Sequence, residues 1–333
     1  MADLHHSGPI VTLPFLCAHA GAMEFDLARW TSPRPLALLL PCHVRELNTP
    51  ALVQIRNMLA PVTWLSRVIV GLDGADRTSY AAARVFFPAA WEVLHHQGTT
   101  GKGGNLQRMV EHILANDPPY AVAINDCDVS TYSLEFLARL CWPILHPAAG
   151  FRYCKGSYAR HTDRLHGRVF RLLLQPLLAA MDEIQGFDPA RDFVRAFRYP
   201  LAGEMCFTTE LLAGIPFESG WGVEMQLLRA VYDRTKPHEV CQAELCSAYD
   251  HRHHDLSPHD PTSGLHRTAI EVTAATLKYF GGEHIKKSAL LAAWDRHAAS
   301  AVHRSSLICE INGLIHDSTA EALAVKTFRR SLE

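Results

Sequence analysis

Two aspartates separated by a single residue are the strongest candidates for chemistry in this sequence. Asp126 and Asp128 directly follow the apolar run YAVAI at 120–124. In extended backbone, residues i and i+2 face the same side, so both carboxylates can reach one point. Such a pair favours Mg²⁺ or Mn²⁺, which keeps other coordination positions for water and phosphate. Asp-x-Asp also occurs in ordinary surface turns, and its position directly after an apolar strand is what favours the metal interpretation.

A glycine-rich segment supplies a second candidate. The sequence GKGG at 101–104 precedes a helical pattern, so its backbone amides, the amino end of the helix and the ammonium of Lys102 can meet an anionic ligand. Its spacing is not that of a P-loop, and no Gly-x-Gly-x-x-Gly opens the first strand-helix unit. The sequence therefore gives no support to nucleotide hydrolysis or dinucleotide redox chemistry, and the segment alone is also typical of a flexible turn.

The densest group of possible metal ligands lies at 250–255. It comprises Asp250, His251, His253, His254 and Asp255. Zinc hydrolases place two histidines on one face of a helix, whereas the proline at 258 predicts a loop here. We expect most of these imidazoles to be solvated and one of them to complete the aspartate metal site, since neutral imidazole binds Mn²⁺.

Arginine and glutamate side chains supply candidates for binding the polar groups of a substrate. Arg168 lies at the predicted start of a helix, where its paired N–H groups can hold a carboxylate or phosphate. We expect its neighbours Arg164 and Arg171 to lie on a solvent face. Glu204 and Glu224 lie in glycine-containing segments, where a carboxylate can approach ligand hydroxyls, although each could also cap a helix.

The elements that must position these residues alternate between strand and helix. Apolar runs predict strands at 36–40, ended by Pro41, and at 67–72, 91–94 and 120–124, with helices at 49–59, 78–87 and 106–114. This alternation predicts an α/β fold with a Rossmann-like, mostly parallel sheet flanked by helices. Because open sheets bind ligands beyond the carboxyl ends of their strands, segments 41–46, 73–76 and 125–128 should share one crevice.

Composition limits the class of protein. Of 333 residues, 48% are hydrophobic and 20% charged, and 32 basic side chains nearly cancel 34 acidic ones. A globular protein with a small-molecule ligand is expected, with no basic face for nucleic acid. Nine cysteines without a Cys-x-x-Cys pair favour a reducing compartment, and no apolar run approaches the length that a bilayer requires. We therefore expect a cytoplasmic protein without a membrane partner.

Taken in order, these segments resemble glucosyl-3-phosphoglycerate synthases and their mannosyl counterparts, which are retaining glycosyltransferases of the glycosyltransferase A fold. The resemblance runs from about residue 36 to residue 254 and is most specific in HGRVFRLLLQPLLAA at 166–180 and PLAGEMCFTTELLAGIPFESGWGVEMQLL at 200–228. It implies metal-dependent transfer of a hexose, with glucose as first choice and mannose as the alternative. The implied donor is a nucleotide diphosphate sugar, and the implied acceptor is a small hydroxy acid such as 3-phosphoglycerate or glycerate.

The resemblance also assigns roles to individual residues. The implied donor contacts are Pro41, Cys42, Glu46, Asp73, Lys102, Asp126, Cys127, Leu201 and Gly203. The implied acceptor contacts are Gly167, Arg168, Phe170, Trp221 and Glu224, and the implied ligands of Mg²⁺ or Mn²⁺ are Asp128 and His251. Lys102, Asp126, Asp128 and Glu224 are the residues to which it gives catalytic roles. Glu224 would position sugar hydroxyls, and Lys102 would add a second cation near the donor.

The sequence departs from the family pattern at a few positions. Phe170 stands where the family has a threonine that binds the acceptor phosphate, and Tyr249 stands where an arginine is expected. Arg45-Glu46 stands where the family has an acidic pair after the first strand. Because a charged hydrogen bond contributes about 1.5 to 3 kcal/mol, these changes predict a weaker phosphate site.

The sequence divides into four regions and leaves three competing functions. Residues 1–35 form an N-terminal lead-in, 36–150 a nucleotide-sugar-binding half, 151–264 an acceptor-binding half and 265–333 a helical C-terminal part that suggests a homodimer. A sugar-1-phosphate nucleotidyltransferase lacks support because the segment LPCH at 40–43 has no glycine. A non-catalytic nucleotide-sugar-binding protein is the second competing function, and a zinc hydrolase ranks last.

Overall fold

A computed structural model describes residues 8–95 and 101–333, and within them the chain forms one eight-stranded sheet. The strands are β1 (Val11–Leu13), β2 (Leu36–His43), β3 (Arg67–Asp73), β4 (Glu92–His95), β5 (Ala121–Ile124), β6 (Tyr153–Tyr158), β7 (Met205–Thr208) and β8 (Val240–Cys246). Their spatial order is β1-β8-β6-β7-β5-β2-β3-β4. Strand β7 runs antiparallel to its neighbours β5 and β6, and the other pairs are parallel. The predicted mostly parallel sheet is confirmed.

Twelve α-helices flank this sheet within the described ranges. They are α1 (Ala20–Trp30), α2 (Pro50–Leu59), α3 (Arg77–Phe86), α4 (Gly101–Ala115), α5 (Leu134–Leu145), α6 (Gln175–Gln185), α7 (Pro189–Ala196), α8 (Thr209–Ala213), α9 (Val223–Arg234), α10 (Gly264–Tyr279), α11 (Lys287–Asn312) and α12 (Ser318–Arg330). A π-helical turn, Val169–Leu174, leads into α6. No helix in the described residues has the length and hydropathy needed to cross a membrane.

Strand β2 is longer than the sequence predicts. Pro41 does not end it, because the pairing with β3 continues to His43. Its pairing with β5 stops at Leu39. On the β5 side Pro41 therefore has no ladder partner that needs a backbone N–H, which is the situation in which a strand tolerates proline.

Helix α4 begins earlier than predicted. The glycine-rich segment 101–104 forms its first turn and not a preceding loop, while residues 96–100 of the predicted polar loop lie outside the described residues. Glycine at 103 is required because a Cβ there would lie 1.8 Å from the carbonyl oxygen of Glu218. Lys102 is consequently fixed on a helix, with a defined direction for its side chain.

The core has two layers, one on each face of the sheet. Alternation along β2 sends Leu39 to one layer and Leu38 and Leu40 to the other. The C-terminal helices belong to the first layer, since Trp294 of α11 is fully buried there and its Nε1 donates a hydrogen bond to the carbonyl of Leu173 at 3.3 Å. Residues 265–333 therefore extend the main core.

Candidate active site

A cavity of about 250 Å³ lies at the edge of the sheet that is formed by the carboxyl ends of β5, β6 and β8. The antiparallel strand β7 begins at this same edge, because Met205 pairs with Ile124, the last residue of β5. Segments after three strands and before a fourth therefore meet around one cavity, as expected for an open α/β sheet.

Asp128 and His251 face each other beside this cavity. Asp128 Oδ2 lies 3.7 Å from His251 Nδ1, although the two residues are far apart in sequence. An isolated antiparallel bridge between Val129 and His251 brings them together. The backbone N–H of Ser130 supports it by donating to the carbonyl of Asp250 at 2.9 Å.

The electrostatics of this pair fit a divalent cation. Burial, together with the charges of Asp126 and Glu46, raises the pKa of Asp128 to about 7. Burial and the guanidinium of Arg160 lower the pKa of His251 to about 3, so its imidazole is neutral. The carboxylate of Asp128 has no cationic side chain paired with it among the ion pairs described and lies beside a neutral imidazole. Mn²⁺ accepts both the oxygen and the nitrogen ligand, whereas Mg²⁺ prefers the carboxylate oxygen.

Asp126 has a different partner from Asp128. The ammonium of Lys102 lies 3.0 Å from Asp126 Oδ1 and 3.0 Å from Glu224 Oε1. Burial lowers the pKa of Lys102, but these two carboxylates outweigh it and raise the pKa well above its ordinary value. The expectation that both aspartates meet one cation is therefore wrong for Asp126, whose carboxylate neutralises a buried lysine.

A turn of small residues closes over this ion pair. A Cβ on Gly203 would lie 2.3 Å from Asp126 Oδ2 and 2.7 Å from Lys102 Nζ, so only glycine fits. Next to it, Lys155 is fully buried and donates from Nζ to the carbonyl of Ala202 at 2.7 Å. Burial lowers the pKa of Lys155 to about 8.

Two tyrosines hold the buried carboxylate of Glu204. The hydroxyl of Tyr158 donates to it at 2.6 Å and that of Tyr249 at 2.8 Å, and the two rings stack with centroids 3.7 Å apart. Glu204 is thus a structural residue. Tyr249, which stands in place of the expected arginine, uses its hydroxyl here and adds no positive charge to the cavity.

The predicted acceptor residues divide into two groups. Gly167, Arg168, Trp221 and Glu224 line the cavity. Phe170 does not, because its ring packs edge-on against Tyr199 with centroids 5.4 Å apart, so the prediction of Phe170 as an acceptor contact is wrong for its side chain.

The two arginines near Arg168 differ from each other. Arg164 is exposed and pairs with Asp163, as expected. Arg171 is largely buried and bonds Glu321 of α12 and Ser305 of α11, the latter at 2.8 Å. The predicted solvent face is therefore wrong for Arg171, which connects the π-helical turn Val169–Leu174, directly after Arg168, to the C-terminal helices.

The predicted donor residues outside the cavity lie at the same sheet edge. Glu46 accepts a hydrogen bond from Arg252 at 2.6 Å, and the buried Asp73 accepts one from the backbone of Gly101 at the start of α4. Pro41 is half-buried in β2. The side chains of Cys42 and Cys127 are buried in the core. The predicted donor contacts of these two residues can therefore come only from their backbone groups and not from their thiols. Leu201, with Gly203, lines the cavity.

Several cavity residues have no signal in the sequence. Arg160 follows β6 by two residues. Ile315 and His316 reach the cavity from the connection between α11 and α12, and Glu321 reaches it from α12. The rule that ligand contacts follow strand ends would have found Arg160 if the end of β6 had been predicted. His253 and His254 are exposed, as expected.

Comparison with known proteins identifies the family. No protein-family model matches the chain. The glucosyl-3-phosphoglycerate synthase of Persephonella marina is 30% identical over 360 residues, covering 100% of this chain and 89% of the relative. That of Methanococcoides burtonii is 28% identical over 333 residues, covering 89% and 80%.

Solved structures agree on the fold. The glucosyl-3-phosphoglycerate synthase of Mycobacterium tuberculosis in complex with Mn²⁺, UDP-glucose and phosphoglyceric acid matches with a TM-score of 0.63, at 24% identity over 82% of this chain and 88% of that chain. The predicted glycosyltransferase fold is thereby confirmed, and glycosyl transfer is favoured over the nucleotidyltransferase, zinc-hydrolase and non-catalytic functions. This chain belongs to the glucosyl-3-phosphoglycerate synthase family and is a glycosyltransferase.

Proposed function

We propose that this chain transfers glucose, with retention, from UDP-glucose to the hydroxyl of a small hydroxy acid, 3-phosphoglycerate or glycerate, with Mg²⁺ or Mn²⁺ as cofactor. The observation that carries this proposal is the approach of Asp128 to a neutral His251 beside the cavity, in a chain of this family. The relative from Mycobacterium tuberculosis has been solved with Mn²⁺, UDP-glucose and phosphoglyceric acid, and also with Mg²⁺ and UDP.

Asp128 and His251 are the residues that would hold the cation. A cation bound there supplies stabilisation of the negative charge that grows on the leaving diphosphate. No side chain has to act as a strong base, since in front-face attack the departing phosphate oxygen takes the acceptor proton.

The buried lysine has a different role from the one that the resemblance implies. Because Lys102 is held between Asp126 and Glu224, we propose that it orients these carboxylates toward the hydroxyls of the donor sugar. It does not act as a free cation on the diphosphate.

The acceptor subsite is proposed around Gly167 and Arg168. The backbone at Gly167 has a φ of +70°, a conformation that glycine adopts without strain, and this turn presents Arg168 to the cavity. Phe170 and Tyr249 contribute no phosphate contact there, and this favours an acceptor range that includes unphosphorylated glycerate.

A donor and acceptor screen tests the proposal. The purified chain is incubated with Mn²⁺ and either UDP-glucose or GDP-mannose against glycerate, 2-phosphoglycerate and 3-phosphoglycerate, and products are identified by mass. We expect a glucosylated acid from UDP-glucose and its loss on chelation with EDTA. No glycosylated acid from any pair would refute the proposal.

A substitution tests the metal role. Asp128→Ala should abolish transfer with the circular dichroism spectrum unchanged, whereas Asp233→Ala, at an exposed aspartate that pairs with Arg229, should retain it. Full activity of the Asp128 variant would refute the role.

We also propose a homodimer in the cytoplasm. Apolar side chains are exposed along α11 and just after it. They are Leu307, Ile308, Ile311 and Ile315. Such a surface fits a second copy of the chain. All nine cysteines are free in the described structure, which supports a reducing compartment.

A further inference from the structure

Arg160 contacts the proposed metal ligand His251 and has no role in the function described so far. Its Nη2 is hydrogen-bonded to His251 Nε2, and its Nη1 donates to the hydroxyl of Tyr199 at 2.6 Å. Its Nε is buried and has no hydrogen-bond partner among the described residues. The guanidinium is thus incompletely satisfied at the wall of the cavity.

The contact with His251 conflicts with metal binding. A guanidinium can only donate hydrogen bonds, so the imidazole Nε2 must accept and must carry the lone pair. A neutral imidazole has one such lone pair, and a metal ion needs it. If the cation takes Nδ1, facing Asp128, then Nε2 becomes an N–H and points a donor at the donors of Arg160. If the cation takes Nε2, it occupies the position of Arg160 Nη2.

In both arrangements Arg160 has to leave His251 when the cation is loaded. Charge acts in the same direction, because a divalent cation repels the guanidinium. The side chain lies near the rings of Tyr199 and Tyr249, with its Cζ 5.5 and 5.9 Å from their centroids. Arg160, Gly167 and Arg168 all line the cavity, and the Cδ of Arg160 would lie 3.9 Å from a Cβ built on Gly167.

We propose that Arg160 binds the acceptor anion and that cation loading at His251 releases it for this task. Arg160 thereby supplies the positive charge that Tyr249 does not supply in the acceptor subsite. The proposal rests on the proposed function, since it assigns one residue of the acceptor subsite, and it makes Arg160 a determinant of specificity for acids.

Two binding measurements test it without turnover. The first titrates Mn²⁺ by calorimetry into the chain saturated with UDP, in the absence of acceptor. Arg160→Met should bind Mn²⁺ about tenfold more tightly than wild type, since it removes the competitor for the lone pair. The second titrates 3-phosphoglycerate into the Mn²⁺–UDP form, and there the same variant should bind about tenfold more weakly or worse, the loss expected of at least one charged hydrogen bond.

Two further variants serve as controls. Arg29→Met removes an arginine of α1 that does not line the cavity. Its side chain is 64% exposed and lies 3.6 Å from Asp26, and both affinities should stay within about twofold of wild type, as for an exposed ion pair. Arg160→Lys keeps a charge but loses the paired N–H groups, so its 3-phosphoglycerate affinity should lie between wild type and Arg160→Met. It keeps the test decisive if the methionine variant does not fold.

Unchanged Mn²⁺ affinity in Arg160→Met would overturn the release, and unchanged 3-phosphoglycerate affinity would overturn the anion role. These outcomes are separate from failure of the proposed function, which would show as a wild-type chain that forms no glucosylated acid. Binding of Mn²⁺ and acid to the UDP form is read whether or not glucose is transferred.

Discussion

Replacing Lys102 by methionine should destabilise the protein strongly. Its ammonium lies 3.0 Å from carboxylate oxygens of both Asp126 and Glu224, and the exposed fractions of the three side chains are 12%, 22% and 5%. Methionine fills a similar volume and leaves two carboxylates close together, largely out of water and without a cation. Removing one partner of a buried ion pair costs about 3 to 5 kcal/mol.

That loss is large compared with the free energy of unfolding of an ordinary domain, which is about 5 to 15 kcal/mol. Urea unfolding followed by tryptophan fluorescence measures it as the free energy of unfolding. Lys278→Met is the matched control, because its ammonium pairs with Glu218 at 2.6 Å while the two side chains are 52% and 47% exposed. For this exposed pair we expect a loss of about 1 kcal/mol or less.

A double variant separates charge from packing. In Lys102→Met with Glu224→Gln one of the two unpaired charges is gone, so the combined loss should fall short of the sum of the single losses by about 0.5 to 3 kcal/mol. A Lys102→Met protein within about 1 kcal/mol of wild type, or strictly additive losses, would refute the account of this buried cluster.

Three further predictions concern the turn, the buried lysine and the assembly. Gly203→Ala should lower the affinity for UDP-glucose in the presence of Mn²⁺ roughly tenfold, because its Cβ would lie 2.3 Å from a carboxylate oxygen of Asp126. Gly21→Ala, with nothing within 4 Å of its Cβ, should bind normally, and equal affinities of the two variants would contradict the steric argument. Burial lowers the pKa of Lys155 from 10.5 to about 8, so between these pH values the unfolded chain binds more protons than the folded chain. The free energy of unfolding of wild type minus that of Lys155→Met should therefore rise with pH, by up to about 1.4 kcal/mol per pH unit. A difference that stays flat or falls in urea titrations would count against this prediction. If the chain forms the proposed homodimer, Ile311→Glu should give a monomer in light scattering and Ile184→Glu, on helix α6, should not; a monomeric wild type would refute the proposed homodimer.

The sequence predicts well what local patterns encode. Apolar runs place β2, β3, β4 and β5 to within a few residues, and the position of Asp126 and Asp128 after β5 places them at the edge of the sheet where the cavity lies. Both results depend only on the spacing of neighbouring residues, which the periodicity of a strand reflects directly.

Tertiary contacts account for most of what local patterns miss. The Asp126–Lys102 pair joins the segment after β5 to α4, so nothing next to Asp126 indicates that its carboxylate is occupied. The burial of Arg171 depends on Glu321 and Ser305, which are remote in sequence, and a solvent face is the default for a helical arginine. Only the family resemblance distinguishes His251 from the neighbouring histidines, since a single bridge to Val129 positions it.

The reversed direction of β7 has a practical consequence for protein engineering. In a parallel strand at this position, the preceding segment would lie at the opposite end of the sheet from the cavity. Because β7 is antiparallel, its preceding segment 199–204 lies at the cavity. Its following segment begins at the opposite end, where the backbone N–H of Thr209 donates to the carbonyl of Tyr120. Fluorescent tags or inserted peptides should thus be tolerated at the exposed junction of Ala213 and Gly214, where α8 ends, and should abolish ligand binding when placed between Leu201 and Met205. The two ends of this one short strand differ in this way because one borders the cavity and the other does not.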